Sequence, residues 1–580
     1  MSSQDDAAST ASAITWRKAD VGVLAGLSTL WVLLAVLVDP RGEFPLNDDW
    51  GYVLPVEALL QSGSLRFTDW NTASLVAQVF WGALFCLPGG YSLTALRIST
   101  VVLGLAGSAG LYGLFRILGA GCLVAAIGGL TLAANPVYFG LSYTFMTDVP
   151  FLAVTIGATA LLVLGMERDR DGLIWAGLAL ALLALFVRQI GVALLVGFAA
   201  AYPLRRGFRW KWLIQGIAPA AAGFLAIRLF DGYLRSIDQM PINYYKFHQA
   251  LGLALADLKA LRPGALRFPV YRTLTLSLYL GFFLSPLVMA LWPSHRRRWS
   301  EAERRRGKIR VAVGAIALLA ALAVTDQLLP CLGNILEPGP SLGFRALAGD
   351  WPALGGLPFW LALTAASCVS AAIAIDALIV EIWTVSRWRI DPALIDRRWL
   401  AGFLLATVAV YFGPIALAYS YFFDRYAMGL VPFLGVLVWR AMGGPSARPG
   451  RLAIALSLGW LAALLVFDTA ATHDYLAWNR TRWAVAEAMV GARGVPRDQF
   501  DGGWEFDNYE INRRRLFLTR AERDADVSPE EKKHMSIDRG DAPHRLAVSP
   551  LPGYEVIDRH PVNRWSPATP EAILTLRRSP

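Results

Sequence analysis

The chain has 580 residues, of which 55% are hydrophobic and only 17% are charged, whereas a soluble protein carries about 25% charged residues. With a mean hydropathy of +0.45, this composition excludes a soluble globular enzyme, a collagen, a disordered chain and a disulfide scaffold. Apolar residues are concentrated in runs such as 21–38 and 149–166, and about 20 helical residues cross the hydrocarbon core of a membrane. The sequence therefore predicts a polytopic, all-α membrane bundle.

The formal charge of +10 is unevenly distributed. Residues 469–580 hold 17 Lys/Arg and 17 Asp/Glu, so the whole basic excess lies in residues 1–468. Lys and Arg that flank membrane spans are retained on the cytoplasmic side, so we interpret this excess as an orientation signal and expect no nucleic-acid partner. The four cysteines show no CxxC spacing and indicate neither a metal cluster nor a required disulfide.

Thirteen apolar runs, with approximate edges, are predicted as membrane spans. They are 20–38, 95–118, 121–139, 149–166, 172–187, 190–204, 212–230, 270–292, 311–328, 357–385, 399–421, 427–440 and 452–468. Every second connection is basic, which predicts a cytoplasmic N-terminus and, for an odd number of spans, an external C-terminus. If two of the short runs were not spans, the number of spans would still be odd and the predicted orientation would be unchanged. The expected location is the cytoplasmic (inner) membrane, with the first helix as an uncleaved anchor.

Three parts follow from these spans. Residues 1–19 form a cytoplasmic segment, residues 20–468 form the membrane domain, and residues 469–580 form an external, periplasmic domain with a small α/β fold. The external loops of the membrane domain are 39–94, 231–269 and 329–356. Within them, apolar residues recur with helical spacing beside polar ones, which predicts amphipathic helices on the membrane surface. These helices are expected at 52–60, 74–87 and 244–261.

Two adjacent carboxylates, Asp48 and Asp49, lie near the start of the first external loop in the segment PLNDDWGY, residues 45–52. Either could cap the following helix, because Asp accepts hydrogen bonds from free backbone N–H groups. Alternatively, one of them takes a proton from an incoming nucleophile, for which a carboxylate partly withdrawn from water has a suitably raised pKa. The residues alone leave both interpretations open.

A further acid, Asp148, stands in the segment TDVP, residues 147–150, where the chain enters the fourth predicted span. Pro150 fits the first turn of a helix, so Thr147 or Asp148 is a candidate cap. An ionisable residue at a membrane boundary is also a functional hypothesis by default. Asp148 is therefore a second acidic candidate on the external face.

Two arginines are predicted at the external ends of spans, where the orientation rule gives no reason for them. They are Arg188, followed by Gln189, and Arg425, which follows Asp424. Each could form an ion pair or extend to the lipid headgroups, with Asp424 as a local partner for Arg425. Alternatively, the planar guanidinium binds phosphate oxygens, so these arginines suit a lipid-phosphate leaving group.

These features resemble the GT-C glycosyltransferases, and among them bacterial lipid A aminoarabinose transferases and protein O-mannosyltransferases. The resemblance rests on the acidic pair followed by Tyr52, on surface helices in the first loop, on the TDVP turn, and on Arg425-Tyr426 followed by Pro432. It spans the architecture from about residue 20 to residue 468. The resemblance is supported mainly by the order of these motifs along the chain and by their predicted location on the same side of the membrane.

The resemblance implies an inverting enzyme that moves a hexosyl or pentosyl group from a polyprenyl-phosphate donor to a lipid, glycan or protein acceptor on the external face. It implies Asp48 as the general base, with Asp49 as its neighbour and alternative. Asp148 matches the second acidic position of such enzymes. Arg425 and Tyr426 match the arginine–tyrosine pair expected near the donor phosphate, with Arg188 from the residue argument as a weaker phosphate ligand.

The chain departs from these relatives at two places. Gly429 stands where the relatives often have proline, and the Lys-Pro-Pro signature of aminoarabinose transferases is absent around residues 69–71. These departures leave the identities of the sugar and of the acceptor open. They bear less on the assignment to the glycosyltransferase class.

A nucleotide-binding fold is not required, because a lipid phosphate is an adequate leaving group once its charge is neutralised. The chain has no P-loop, no GxGxxG after a strand and no HExxH, and its six histidines are dispersed. No zinc site is therefore predicted, and the need for a divalent metal is open. The competing classes are a transporter or flippase of a lipid-linked substrate, and a structural or assembly protein whose C-terminal domain is the working part, with Trp504 as a candidate aromatic for stacking on a carbohydrate. Trp504 itself is expected to be a core residue.

Overall fold

The computed structural model describes residues 18–297, 300–337, 342–343, 345–386, 398–519, 521–523 and 542–579. Most of the predicted cytoplasmic segment 1–19 therefore lies outside the described residues. The helices of the first half are α1 Lys18–Val38, α2 Trp50–Ser62, α3 Val76–Cys86, α4 Leu93–Ile117, α5 Cys122–Ala133, α6 Pro136–Ser142, α7 Asp148–Glu167, α8 Asp171–Val187, α9 Val192–Arg206, α10 Trp210–Ser236, α11 Lys246–Lys259, α12 Arg267–Phe283 and α13 Ser285–Arg297.

The second half continues the helical bundle and ends in a small sheet. Its helices are α14 Glu301–Val324, α15 Leu357–Ser386, α16 Arg398–Leu417, α17 Arg425–Met428, α18 Val431–Ala441, α19 Arg451–Glu487 and α20 Trp504–Arg515. Its strands are β1 Phe500–Asp501, β2 His544–Ala547, β3 Tyr554–Pro561 and β4 Ala572–Arg578. A predominantly helical fold with a small C-terminal α/β unit is thus confirmed.

Each of the thirteen predicted spans overlaps a helix, and two of them overlap a bent pair of helices. The pairs are α5 with α6, bent by 64°, and α12 with α13, bent by 78°. In the described part of the chain, eight helices are long and apolar enough to cross a membrane, or up to ten if each bent pair is one span. The chain is therefore a multi-pass membrane protein, and the count of thirteen stays a prediction.

Local sequence signals explain where several helices begin. Asn135 caps α6 by accepting hydrogen bonds from the N–H groups of Val137 and Tyr138, and Pro136 takes the first helical position. Ser92 caps α4 by accepting a hydrogen bond from the N–H of Ala95. Proline at position 150 lies in the first turn of α7, as the sequence predicted.

Helices are also found in all three segments where surface helices were predicted. These are α2, α3 and α11, the last preceded by a 3₁₀ turn at Ile242–Tyr245. Residues 50–58 of α2 are all buried, because α2 packs against α3 and against α20 from the C-terminal segment. The first loop is therefore enclosed by protein rather than laid open beside the bundle.

The C-terminal segment shares the core of the bundle. Its strands form one sheet in the order β1-β2-β4-β3, in which β1 and β2 are parallel and the other pairs are antiparallel. Trp504, Phe506 and Ile573 belong to the same buried cluster as the membrane helices. Helix α19 runs without interruption across the expected boundary at residue 468, so the segment is joined to the bundle by a continuous helix.

Candidate active site

The long loops meet at one end of the bundle, and backbone contacts hold them together. The N–H of Asn243 in the second loop donates to the carbonyl of Asp69 in the first, at 3.1 Å. The N–H groups of Ile335 and Leu336 in the third loop donate to Asp424, at 3.2 and 2.6 Å. The acids and arginines singled out in the sequence lie within this assembly.

Asp49 is bound to the backbone on both carboxylate oxygens. It accepts hydrogen bonds from the N–H of Leu46, at 2.6 Å, and from the N–H of Phe145, at 3.0 Å. Burial raises the pKa of Asp49 to about 7, against the effect of those two hydrogen bonds. Asp49 therefore ties the first loop to the turn before α7, and its carboxylate does not cap α2.

Asp48 faces Arg425 instead of the backbone. Its Oδ2 lies 3.6 Å from Nη2 of Arg425, and the two side chains are 18% and 8% exposed. Burial raises the pKa of Asp48, while Arg425 and the indole of Trp70 favour its ionised form. Asp48 is thus a carboxylate partly withdrawn from water that is not used in capping, and its role as a base stays a prediction.

Arg425 has hydrogen-bonding capacity that the described residues do not use. Its Nε and Nη1 are buried, and among the described residues they have no hydrogen-bond partner. The guanidinium carbon lies 4.8 Å from the ring centre of Phe423 and 5.9 Å from that of Tyr426, which is within the range of cation–π contact. Asp48 and Asp148 both favour its charged form.

Asp424 is not the ion-pair partner that the sequence suggested for Arg425. Its Oδ1 accepts the backbone N–H of Arg425 at 2.7 Å, which caps the short helix α17, and its Oδ2 accepts the two N–H groups of the third loop. Burial raises the pKa of Asp424 to about 7, against these hydrogen bonds. The carboxylate fixes the backbone of Arg425 and leaves the guanidinium to face Asp48.

Arg188 and Asp148 form a close ion pair, with Nη1 of Arg188 hydrogen-bonded to Oδ1 of Asp148. Asp148 is the first residue of α7, and neither it nor Thr147 caps that helix through its side chain. The second oxygen of Asp148, Oδ2, is buried and has no partner among the described residues. The ion-pair interpretation of Arg188 is therefore seen in the structure, and its role toward phosphate stays a prediction.

Gly429 explains one departure from the relatives. A Cβ atom at this position would lie 2.1 Å from the hydroxyl oxygen of Tyr411, so the ring of Tyr411 occupies the space of a side chain. The same hydroxyl donates to the backbone carbonyl of Tyr426 at 3.4 Å. A glycine here allows Tyr411 to support the backbone next to Arg425.

Two residues of the site were not singled out from the sequence. Trp70 lies beside Asp48, and Arg272 donates to the carbonyls of Ile415, Ala418 and Ser420, which shapes the loop before Asp424. An arginine inside the predicted span 270–292 could have marked Arg272 as a residue with a buried partner.

No group of three or more His, Cys, Asp or Glu that could hold a metal ion occurs in the described ranges, and the four cysteines are free.

Residues 73–231 match the family described as dolichyl-phosphate-mannose-protein mannosyltransferase. The matched segment contains Asp148 and Arg188 and ends before Arg425. The match confirms, for this part of the chain, the resemblance to protein O-mannosyltransferases. No curated protein sequence matches the chain.

The chain also aligns with solved structures at low sequence identity. ArnT from Cupriavidus metallidurans bound to undecaprenyl phosphate is 13% identical, with a TM-score of 0.39 over 96% of this chain and 98% of ArnT. The apo oligosaccharyltransferase of Archaeoglobus fulgidus is 14% identical, with a TM-score of 0.43 over 86% of this chain and 60% of the other. Arabinosyltransferase EmbB from Mycobacterium smegmatis is 11% identical, with a TM-score of 0.30 over 80% of this chain and 43% of EmbB.

Proposed function

We propose that this protein is a membrane glycosyltransferase that moves a sugar from a polyprenyl-phosphate donor to an acceptor on the external face of the cytoplasmic membrane. The observation that carries the proposal is the pairing of Asp48 with a buried arginine, Arg425, that keeps two unused donor nitrogens. The match of residues 73–231 to a mannosyltransferase family supports the same class.

In this proposal Arg425 binds the donor phosphate. A guanidinium presents several N–H donors in a planar fork that matches phosphate oxygens, and such charge-assisted hydrogen bonds are strong. Tyr426 lies beside the guanidinium and borders the same site. Neutralising the phosphate makes polyprenyl phosphate a better leaving group. Arg188 is a weaker candidate, because one of its nitrogens is already bound to Asp148.

Asp48 then acts as the general base. It takes the proton of the acceptor hydroxyl or amine while the acceptor atom forms a bond to the anomeric carbon. The bond from that carbon to the phosphate oxygen breaks, and polyprenyl phosphate leaves with the electron pair. One displacement inverts the configuration at the anomeric carbon. Asp49 is the alternative base, although two backbone hydrogen bonds engage it.

Asp148 is proposed to act on the acceptor side. Its free oxygen, Oδ2, is buried next to the charge of Arg425, so it can accept a hydrogen bond from an acceptor or contribute one ligand to a divalent metal. The acceptor is a lipid, a glycan or a protein. The sugar is a hexose or a pentose.

The catalytic proposal is tested with Asp48→Asn in cells that carry no wild-type copy. Loss of a positioned base lowers the rate by about 10²–10⁴-fold, so the lipid-linked sugar donor should accumulate and be identifiable by mass spectrometry of extracted lipids. The matched control is Asp169→Asn, the same change at a half-exposed residue between α7 and α8. Donor levels in Asp48→Asn equal to those in the control, at equal protein abundance, would favour a transporter.

The orientation is tested by cysteine labelling in intact cells, in a background without the native cysteines. A cysteine at exposed Asn563, in the loop between β3 and β4, should react with an impermeant maleimide. A cysteine at exposed Glu301, at the start of α14, should not. Labelling at position 301 alone would reverse the topology and place the proposed site in the cytoplasm.

A further inference from the structure

The C-terminal segment reaches the proposed base through Glu505. This glutamate is the second residue of α20, and its Oε1 accepts a hydrogen bond from the backbone N–H of Asn47 at 3.1 Å. Asn47 directly precedes Asp48, and its own Oδ1 accepts the N–H of Asp48 at 2.8 Å. Glu505 is therefore two hydrogen bonds away from the backbone of Asp48.

The position of Glu505 is itself fixed from the bundle. Its Oε2 accepts a hydrogen bond from Nη1 of Arg482 in α19 at 2.8 Å, and both side chains are fully buried. The turn before α20 is equally constrained, because Gly503 has a φ of +92° and a Cβ there would lie 2.8 Å from the carbonyl of Ala346. The helix is thus held against α19 and against the third loop.

Two further contacts hold α20 against the first loop. The indole of Trp504 packs against Trp70 and Trp50, with ring centres 5.2 and 6.3 Å apart, and Trp70 borders Asp48. Nη2 of Arg513 lies 2.5 Å from the carboxylate of Glu57 in α2. The segment 45–62 is therefore fixed on both sides of Asp48 by residues of one C-terminal helix.

We infer that Glu505 is a positioning residue for Asp48, through which the C-terminal segment sets the geometry of the base. This inference rests on the proposed function. Asn47 has a φ of +55°, a conformation that asparagine tolerates better than most residues, and the hydrogen bond from its N–H to Glu505 stabilises that conformation. Misplacement of a reacting group by about 1 Å can cost about 100-fold in rate.

The test is Glu505→Asp in the full-length protein. The shorter side chain keeps the negative charge and draws the carboxylate back from both of its partners, the N–H of Asn47 and Nη1 of Arg482. With the lipid-linked donor that accumulates in Asp48→Asn as the substrate, we expect kcat to fall by about 10- to 100-fold and the KM for that donor to stay close to wild type. The matched control, Glu510→Asp, makes the same change at a 40% exposed residue on the same helix and should leave kcat unchanged.

A double variant separates positioning from a general loss of structure. If Glu505 acts through Asp48, then adding Glu505→Asp to Asp48→Asn should change the residual rate by less than about threefold, because residues that act as a unit are not additive. If the two losses multiply, the inference is wrong. If Glu505→Asp gives too little folded protein, Trp504→Phe, which keeps a ring against Trp50 and Trp70, takes its place in the same cycle.

The inference and the proposed function fail in different ways. Wild-type kcat in Glu505→Asp, with Asp48→Asn inactive, would overturn the positioning role and leave the base in place. Wild-type transfer in Asp48→Asn would instead overturn the function of Asp48, whatever the behaviour of the Glu505 variant.

Discussion

The site contains two acid–arginine pairs, and they differ in how completely each is satisfied. In the pair of Asp148 and Arg188, the charged atoms are in direct hydrogen-bond contact. In the pair of Asp48 and Arg425, the closest oxygen and nitrogen are 3.6 Å apart, and two other nitrogens of Arg425 have no partner among the described residues.

This difference separates a pair whose arginine is already bound by its acid from one whose arginine can bind a ligand. A buried charge without partners is expensive, so Arg425 is stabilised only partly in the structure as it stands. A bound phosphate would supply the missing acceptors. The Asp148–Arg188 pair has less to gain from a ligand on its arginine, since Asp148 already accepts from it.

The largest expected effect is on stability, in Asp148→Ala. This variant leaves Arg188 without its partner, and breaking a buried pair costs about 3–5 kcal/mol, with the lower end expected because the Arg188 side chain is 21% exposed. Asp48→Ala should cost less, because the closest oxygen and nitrogen of its pair are 3.6 Å apart, beyond hydrogen-bonding distance. Thermal unfolding of the purified proteins measures both. Equal losses of stability in the two variants would contradict the proposed difference between the pairs.

The double variant Asp148→Ala with Arg188→Met is the control for that experiment. Removing both charges avoids an uncompensated guanidinium, so most of the lost stability should return. If the double variant is less stable than Asp148→Ala, the two residues contribute independently.

The next effect concerns phosphate binding. Arg425→Lys keeps the charge but loses the planar fork, and a hydrogen bond to a charged group contributes about 1.5–3 kcal/mol, so affinity for undecaprenyl phosphate should fall by about 10- to 100-fold. Arg188→Lys should change it by less than about threefold, following the difference between the pairs. Equal losses in a lipid-binding assay would mean that both arginines hold the phosphate.

A third experiment uses pH. Asp48 must be ionised to act as a base, and burial raises its pKa while Arg425 lowers it, so kcat/KM should fall as the pH drops through that pKa. Arg425→Gln removes the positive charge, so the pKa of Asp48 rises and the acidic limb of the profile moves to higher pH. An unmoved limb in Arg425→Gln would show that the two groups are not coupled. Arg188→Gln should leave the limb where it is.

The smallest effect is expected at Gly429. In Gly429→Ala the new Cβ would overlap the hydroxyl of Tyr411, and such overpacking costs about 1–3 kcal/mol. Tyr411 should move away from Tyr426, with a modest loss of phosphate affinity. Gly413→Ala is the control, because a Cβ there has no neighbour within 4 Å and alanine favours a helix. An unchanged melting temperature and unchanged phosphate affinity in Gly429→Ala would show that Tyr411 can move without loss of stability or binding.

The sequence predicted the helices well because membrane spans are local features. Apolar runs such as 149–166 and 357–385 coincide with α7 and α15 because each run needs only its own composition to cross a membrane. The bends between α5 and α6 and between α12 and α13 were not predicted, since each bent pair reads as one continuous apolar run.

The site was predictable only in part, because its contacts join distant positions. Asp48 and Arg425 were both singled out, but nothing in their neighbourhoods indicates that one faces the other. The two neighbouring acids Asp48 and Asp49 are alike in sequence, and their different roles depend on the backbone of Phe145. Glu505 was not predicted as a site residue, because its role depends on its contacts with Asn47 and Arg482.

The contact between Asn47 and Glu505 also determines when, during synthesis of the chain, the first loop can reach its final structure. The two residues are 458 positions apart, and at about 5–20 residues per second a ribosome needs roughly 20 to 90 s to travel that distance. During that interval the nascent chain already has its first loop but lacks α20. The first loop therefore reaches its final form only when synthesis is nearly complete, and a prematurely terminated chain in the membrane would hold Asp48 without that support.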